Sequence, residues 1–311
     1  MDAPVIATAT LDRTPAADPT THPVAMPSPP PLEVKAFGIT DPGRVRQSNE
    51  DHFLIAELTK TMRIWHTSLP DTAPLFGNER GHLFLVADGM GGHKVGETAS
   101  ALAVAAIEQF TLNTFKWFFH SDEPETQRAM VQFQEALHNA DDRVIAESSA
   151  HPELSGMGTT MTLAYHLDAQ LCVVHVGDSR AYLFKDDCLC QITHDHSVTA
   201  DMVRRGVLRP EDVAKHFLRH VITNVVGGNE AGITVEAHAM KVSVGDRLLL
   251  CSDGLTEMLT NEAIAAILRA EPDPEAACGR LVAQANDGGG RDNITAVIVR
   301  FDPAVREPAS H

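Results

Sequence analysis

The 311-residue chain carries 42 acidic and 25 basic side chains, a formal net charge of −17, and 43% hydrophobic residues. That balance allows a sizeable core and excludes a general nucleic-acid binder or a protein that docks on anionic membranes, both of which need a basic face. No run of about 18 apolar residues predicts a transmembrane helix. The start, MDAPVIATATLDR, lacks a basic segment followed by an apolar one, so no secretory signal is expected. Five cysteines without a CxxC pair fit a reduced, cytoplasmic protein better than a disulfide framework.

Residues 1–33 hold eight of the 18 prolines, mixed with Ala and Thr. Such a segment buries too little apolar surface to offset its ordering entropy and is expected to be a disordered tail. Residues 34–302 read as one domain and 303–311 as a short C-terminal tail. Strands are expected at Val34–Thr40 and His52–Ala56, then a loop-like insert at Glu57–Arg80 containing Trp65, His66 and Pro70. An apolar strand Leu83–Ala87 follows and stops at Asp88-Gly89. Helical spacing recurs through Ala99–Phe110 and Met130–Val144. Short strands then crowd together at Thr159–His166, Leu171–Val176, Ala181–Lys185 and Leu189–Thr193, separated by polar turns, as in an antiparallel meander. Asp195–Thr223 reads as a helical, partly irregular excursion. Strands return at Arg247–Ser252 and Ile294–Arg300, with helices at Asn261–Arg269 and Pro274–Asn286 between them. Runs of strands and runs of helices argue for α+β layers.

The informative pattern is the placement of acids at strand ends. Leu83–Ala87 ends in Asp88-Gly89, and Leu248–Ser252 ends in Asp253-Gly254. Cys172–Val176 runs into Gly177-Asp178, while Asp292-Asn293 and Glu50-Asp51 precede apolar strands. A single Asp-Gly is an ordinary turn. The whole set, placed at strand exits and entrances that share an edge in antiparallel sheets, predicts converging carboxylates. Their repulsion would raise each other's pKa, and bound cations relieve it. Oxygen donors without His or Cys partners suit Mg²⁺ or Mn²⁺.

These residues resemble the PPM family, the metal-dependent type-2C serine/threonine protein phosphatases, in its bacterial form. The matching stretches are RQSNED (46–51), VADGMGGH (86–93), SGMGTTMT (155–162), VGDSRAYL (176–183), DHSVTADMVRRG (195–206), LLCSDGLTEML (249–259) and RDNITAVIV (291–299). The resemblance implies a four-layer α/β/β/α sandwich with a dinuclear metal site at one edge of its two antiparallel sheets. It implies that Asp88 bridges two ions, Mn²⁺ or Mg²⁺, completed by the Gly89 carbonyl, Asp253 and Asp292. Asp51 and Glu50 would hold waters, Glu50 from behind, and Asp178 would join a third, weaker site. Arg46 would grip the substrate phosphate, since its planar fork donates parallel hydrogen bonds.

The implied reaction is hydrolysis of phosphoserine or phosphothreonine by in-line attack of a metal-bridging hydroxide. Two ions about 3.5–4 Å apart produce such a nucleophile near neutral pH. The implied partners are phosphorylated proteins, chiefly bacterial Ser/Thr kinases and their substrates, met by a monomer. Met90 stands where some family members have a His, so the general acid is a metal-bound water or His93. Two other readings compete: a non-catalytic phosphoprotein-binding module, which predicts a lost ligand, and a stress or sporulation phosphatase acting on an anti-sigma antagonist. His194 and His196 have the look of a metal pair but read as loop residues opening the 195–223 segment, a flap beside the site in bacterial relatives. Arg204, Arg205 and Arg219 of that segment are candidates to meet acidic or phosphorylated partners. The cysteines read as small buried residues.

Overall fold

A computed structural model describes residues 32–59, 80–92, 94–113, 125–229 and 232–304. Residues 1–31 of the Pro-rich tail, most of the 57–80 insert and His93 lie outside them, while Leu32 and Glu33, assigned to that tail from sequence, belong to the first strand. The first strand, β1 (Leu32–Asp41), leads into β2 (Asp51–Thr59) and β3 (Arg80–Met90). Two long helices follow, α1 (Lys94–Asn113) and α2 (Glu125–Ala150). The meander comprises β4 (Gly158–Thr159), β5 (Met161–Leu167), β6 (Gln170–Val176), β7 (Arg180–Lys185) and β8 (Cys188–Gln191). The 195–223 excursion holds the short α3 (Val198–Arg204) and a 3-10 turn at Pro210–Lys215. Then come β9 (Val226–Gly227), β10 (Glu236–Lys241), β11 (Arg247–Cys251), α4 (Asp253–Thr256), α5 (Asn261–Ala270), α6 (Pro274–Asp287) and β12 (Ile294–Pro303).

The strands form two antiparallel sheets, one in the order β1-β12-β11-β7-β8 and the other β10-β6-β5-β3-β4-β9, with β2 also paired to β3. Period-two alternation explains the layering. In β3, Leu83, Leu85 and Ala87 face a core shared with α1 and α2, while Phe84 and Val86 face the other sheet. In β11, Leu248 and Leu250 face between the sheets, while Leu249 and Cys251 face α5 and α6. Central strands are thus buried on both faces and read as continuous apolar runs, not alternating ones. Three apolar cores separate four layers, as expected. The helices are capped conventionally: Thr260 and Asp273 accept from the Ala263 and Ala276 amides at the starts of α5 and α6. Among the described residues no helix is long and apolar enough to cross a membrane.

Three local expectations need correction. Strand β3 does not stop at Asp88-Gly89 but continues through Met90, because Gly89 and Met90 pair with Thr159 and Gly158 of β4. Asp253-Gly254 follows the end of β11 as expected and opens α4. Cys188 and Cys190 are exposed, because β8 is an edge strand; Cys172, Cys251 and Cys278 are buried as expected. The 57–80 insert is shorter than its sequence suggests, since β2 runs to Thr59 and β3 starts at Arg80. Strand β10 is an addition, since its sequence EAHAMK has no apolar run and alternates only over Glu236–Ala239, with alanine as the apolar residue.

Candidate active site

Register brings the acids together. Asp51, first in β2, is the cross-strand partner of Asp88 near the end of β3. In the other sheet, Cys251 at the end of β11 pairs with Ala296 near the start of β12, so Asp253 and Asp292 flank the same edge. The edges are tied across the sandwich: Ser252 Oγ and Thr295 Oγ1 each donate to Asp51 Oδ2 at 2.7 Å. Asn293 fastens the 42–50 loop to this point. Its Oδ1 accepts from the Glu50 amide at 2.9 Å, and its Nδ2 donates to the carbonyls of Pro42 and Ser48.

The Asp-Gly glycines serve close approach. Neither Gly89 nor Gly254 adopts positive φ. A Cβ on Gly89 would sit 2.2 Å from the Gly96 carbonyl, and one on Gly254 would sit 2.0 Å from the Asn293 carbonyl. Gly96, in turn, leaves room for the Glu50 carboxylate, 2.0 Å from where its Cβ would be. Each glycine lets an acid-bearing backbone pack against its neighbour at a distance no side chain permits.

Above this floor opens a cavity of about 750 Å³, lined by Arg46, Glu50, Asp88, Gly89, Asp178, Asp253 and Asp292 among others. Asp51 lies beneath it, 3% exposed. Its Oδ1 and the Oδ1 of Asp178 are buried without a hydrogen-bond partner. Burial, with Asp292 nearby, pushes the Asp51 carboxyl up to about 6 despite its two hydroxyl donors. Burial and the charges of Asp51 and Asp253 hold Asp88 well above the carboxylate range. Burial, Asp178 and Asp292 do the same to Asp253. Asp178 is pushed up to about 7 by burial and by Asp195, against the pull of Arg180. Among the described residues no lysine or arginine forms an ion pair with Asp51, Asp88, Asp178 or Asp253. Arg46 sits at the rim, half-exposed, and donates from Nη2 to Asp292 Oδ2 at 2.6 Å.

All the expected acids and Arg46 therefore meet at one edge. Two further cavity-lining residues carry no role in the motif reading: His220, on the 195–223 segment, and Glu257, whose Oε1 lies 3.0 Å from His220 Nδ1. Nothing in the sequence marks His220; only the fold of that segment places it here. The segment is closed at its base by Val198 N–H donating to Val221 O at 2.9 Å and Thr223 N–H to His196 O at 2.8 Å.

A partly buried set of oxygen donors, in which Asp51, Asp88, Asp178 and Asp253 have raised pKa values and two oxygens are orphaned, has the chemistry of a site for hard divalent cations. The comparisons with known proteins agree. Residues 70–281 match the family model described as "Protein phosphatase 2C". The chain belongs to the protein phosphatase 2C family. It is 31% identical to the serine/threonine phosphatase stp of Listeria monocytogenes over 263 residues, covering 85% of this chain and 94% of that protein. The crystal structure of the serine/threonine phosphatase PstP/Ppp of Mycobacterium tuberculosis superposes with a TM-score of 0.70 at 30% identity, covering 87% of this chain and 99% of that one. A structure of the PstP catalytic domain in complex with two manganese ions gives a TM-score of 0.67, also at 30% identity, with the same coverage. The family, the two-sheet architecture and the serine/threonine phosphatase class expected from the motifs are borne out.

Proposed function

We propose that the carboxylate floor holds two divalent cations, Mn²⁺ or Mg²⁺, through Asp88, the Gly89 carbonyl, Asp253 and Asp292. Asp51 and Glu50 hold water at the ions, Glu50 from behind, and Asp178 contributes to a third, weaker site. The observation that carries this reading is the floor itself: Asp51, buried, and Asp88, Asp178 and Asp253, partly buried, converge there, and Asp51 and Asp178 each have a buried oxygen without a hydrogen-bond partner. The two manganese ions bound by the PstP domain support it. When bound, such a pair activates a water near neutral pH and neutralises charge on the phosphoryl group.

The chain's own residues supply the rest. Arg46, on the exposed rim, exchanges its Asp292 contact for the phosphate of the substrate, where its planar fork donates in parallel. Ser252, Thr295 and Asn293 fix the acids so that little reorganisation accompanies the reaction. His93 is the candidate proton donor to the leaving serine or threonine oxygen. It lies outside the described residues, so its role rests on sequence position.

The substrates are phosphorylated proteins, and the natural opponents of the enzyme are Ser/Thr kinases of the bacterial eukaryotic-like type. The net charge of −17 does not forbid this, because surface charge is screened beyond about 8 Å at physiological salt. The domain is taken as residues 34–302, acting as a cytoplasmic monomer. Phosphate release from a phosphothreonine peptide tests the reading. Release that needs Mn²⁺ and stops with excess chelator is expected. Silence from folded, Mn²⁺-binding protein would instead favour the phosphoprotein-binding alternative.

A further inference from the structure

A second ionisable cluster lies on the edge strand β10, built from residues other than the acids of the floor. Glu236 and His238 are two apart on one strand, so both side chains leave the same face. His194, from the loop after β8, reaches the same point. His194 Nδ1 lies 2.6 Å and His238 Nε2 2.5 Å from one oxygen, Glu236 Oε1. One donor atom from each of the three residues fits within a 4.8 Å group.

The other carboxylate oxygen is braced from behind. The His194 amide donates to Glu236 Oε2 at 3.1 Å, and His196 Nε2 lies 3.5 Å from it. His196 is itself oriented, since its Nδ1 accepts from the Gly177 amide at 3.1 Å. Oε2 is thus occupied while Oε1 is presented with two imidazoles, the arrangement in which outer contacts orient a metal-binding carboxylate. The side chains are 68% exposed for His194, 28% for His238 and 16% for Glu236, so one side is open to solvent for entry and a fourth ligand.

We propose that His194, Glu236 and His238 form a Zn²⁺ site separate from the carboxylate floor. Two imidazoles and one carboxylate with an open position make a familiar zinc donor set, and imidazole nitrogen disfavours Mg²⁺. The ion would join β10 to the residue preceding the 195–223 segment, whose residues Arg219 and His220 line the active-site cavity. The sequence alone makes His194 and His196 loop residues. His194 is indeed on a loop, but its metal partners are Glu236 and His238, not His196.

The test is equilibrium dialysis of the whole chain against Zn²⁺ in a large excess of Mg²⁺, comparing wild type with His194→Ala/His238→Ala. The variant is expected to bind one equivalent fewer, while its Mn²⁺-dependent turnover matches wild type and shows that it is folded. Co²⁺ in place of Zn²⁺ is expected to give the strong visible bands of a four-coordinate, imidazole-containing site in wild type only. Equal Zn²⁺ stoichiometry in the two proteins would overturn the proposal and leave the cluster as a hydrogen-bond network. The double variant Asp88→Asn/Asp253→Asn separates this site from the floor: it is expected to keep the Zn²⁺ equivalent that His194→Ala/His238→Ala loses. Loss of that same equivalent by the floor variant would also overturn it.

Discussion

Acids are held in two opposite ways within a few residues of one another. Asp195 accepts a forked pair of hydrogen bonds from Arg180, at 2.8 and 2.6 Å, and Asp246 is paired with Lys185 at 3.1 Å. On the floor, Asp51, Asp88, Asp178 and Asp253 lie instead among other carboxylates, and burial and those neighbouring charges raise all four. Folding tolerates a buried acid when a cation or proton accompanies it. The first group carries its compensation in the sequence; the floor leaves it to be supplied. The difference separates structural ion pairs from a site built to receive charge.

The sharpest way to break the comparison is to remove one uncompensated acid. Asp253→Asn is expected to cut phosphopeptide turnover by at least about 10³-fold, about 4 kcal/mol of barrier, while the metal-free fold is retained because a repulsive charge has gone. Retention of most activity with Mn²⁺ present would show that Asp253 is not part of the metal set. The converse change removes a compensating cation. Arg180→Met strands Asp195 beside Asp178 and is expected to destabilise the fold by about 3 kcal/mol, the lower end for breaking a buried pair, as read by denaturant unfolding. A change within about 0.5 kcal/mol would mean solvent already screens Asp195.

Arg46 stands between the two classes, since its acid partner Asp292 belongs to the site. Arg46→Ala is expected to weaken phosphopeptide engagement about 10- to 100-fold in kcat/KM, the range for charge-assisted hydrogen bonds of about 1.5–3 kcal/mol. Most of the loss should appear in KM. Unchanged phosphopeptide kinetics would leave Arg46 as a partner of Asp292 alone.

Much of this contrast is legible in the sequence. The floor acids stand out because each adjoins an apolar run, and such runs mark strands whose ends must share an edge. The element order follows from period-two and helical spacing. Other features are hidden there for physical reasons. The roles of Gly89 and Gly254 depend on what lies opposite, across the sheet or against the next loop, so Asp-Gly has the look of a turn. Strand β10 is an edge strand stabilised by pairing with β6 and by the Glu236 contacts, and its own residues carry little strand preference. The partners of His194 are 42 and 44 residues away along the chain, and no local spacing announces a contact of that range. His220 reaches the cavity only because the 195–223 segment folds back on itself.

The smallest expected effect sharpens the comparison without any substitution. A buried acid whose pKa is raised in the fold keeps a proton that the unfolded chain gives up, so its contribution to stability falls as pH rises from about 4 through the folded value. Asp51, at about 6, and Asp178, at about 7, place that loss between about pH 4 and 7. The buried His166 and His175, lowered to about 4 chiefly by burial, act oppositely in the same window. They are neutral in the fold and charged when unfolded, so their contribution rises with pH. The two trends blur in a single melting curve. They separate when Mn²⁺-loaded and chelated protein are melted side by side, because the histidines are common to both. Cations bind the deprotonated acids and cancel their repulsion. The gap in Tm is therefore expected to widen by about 4–8 °C from pH 4 to pH 7, for about 2 kcal/mol of relieved repulsion. A gap that stays constant across that window would mean the floor is already compensated without metal, and the contrast with Asp195 would vanish.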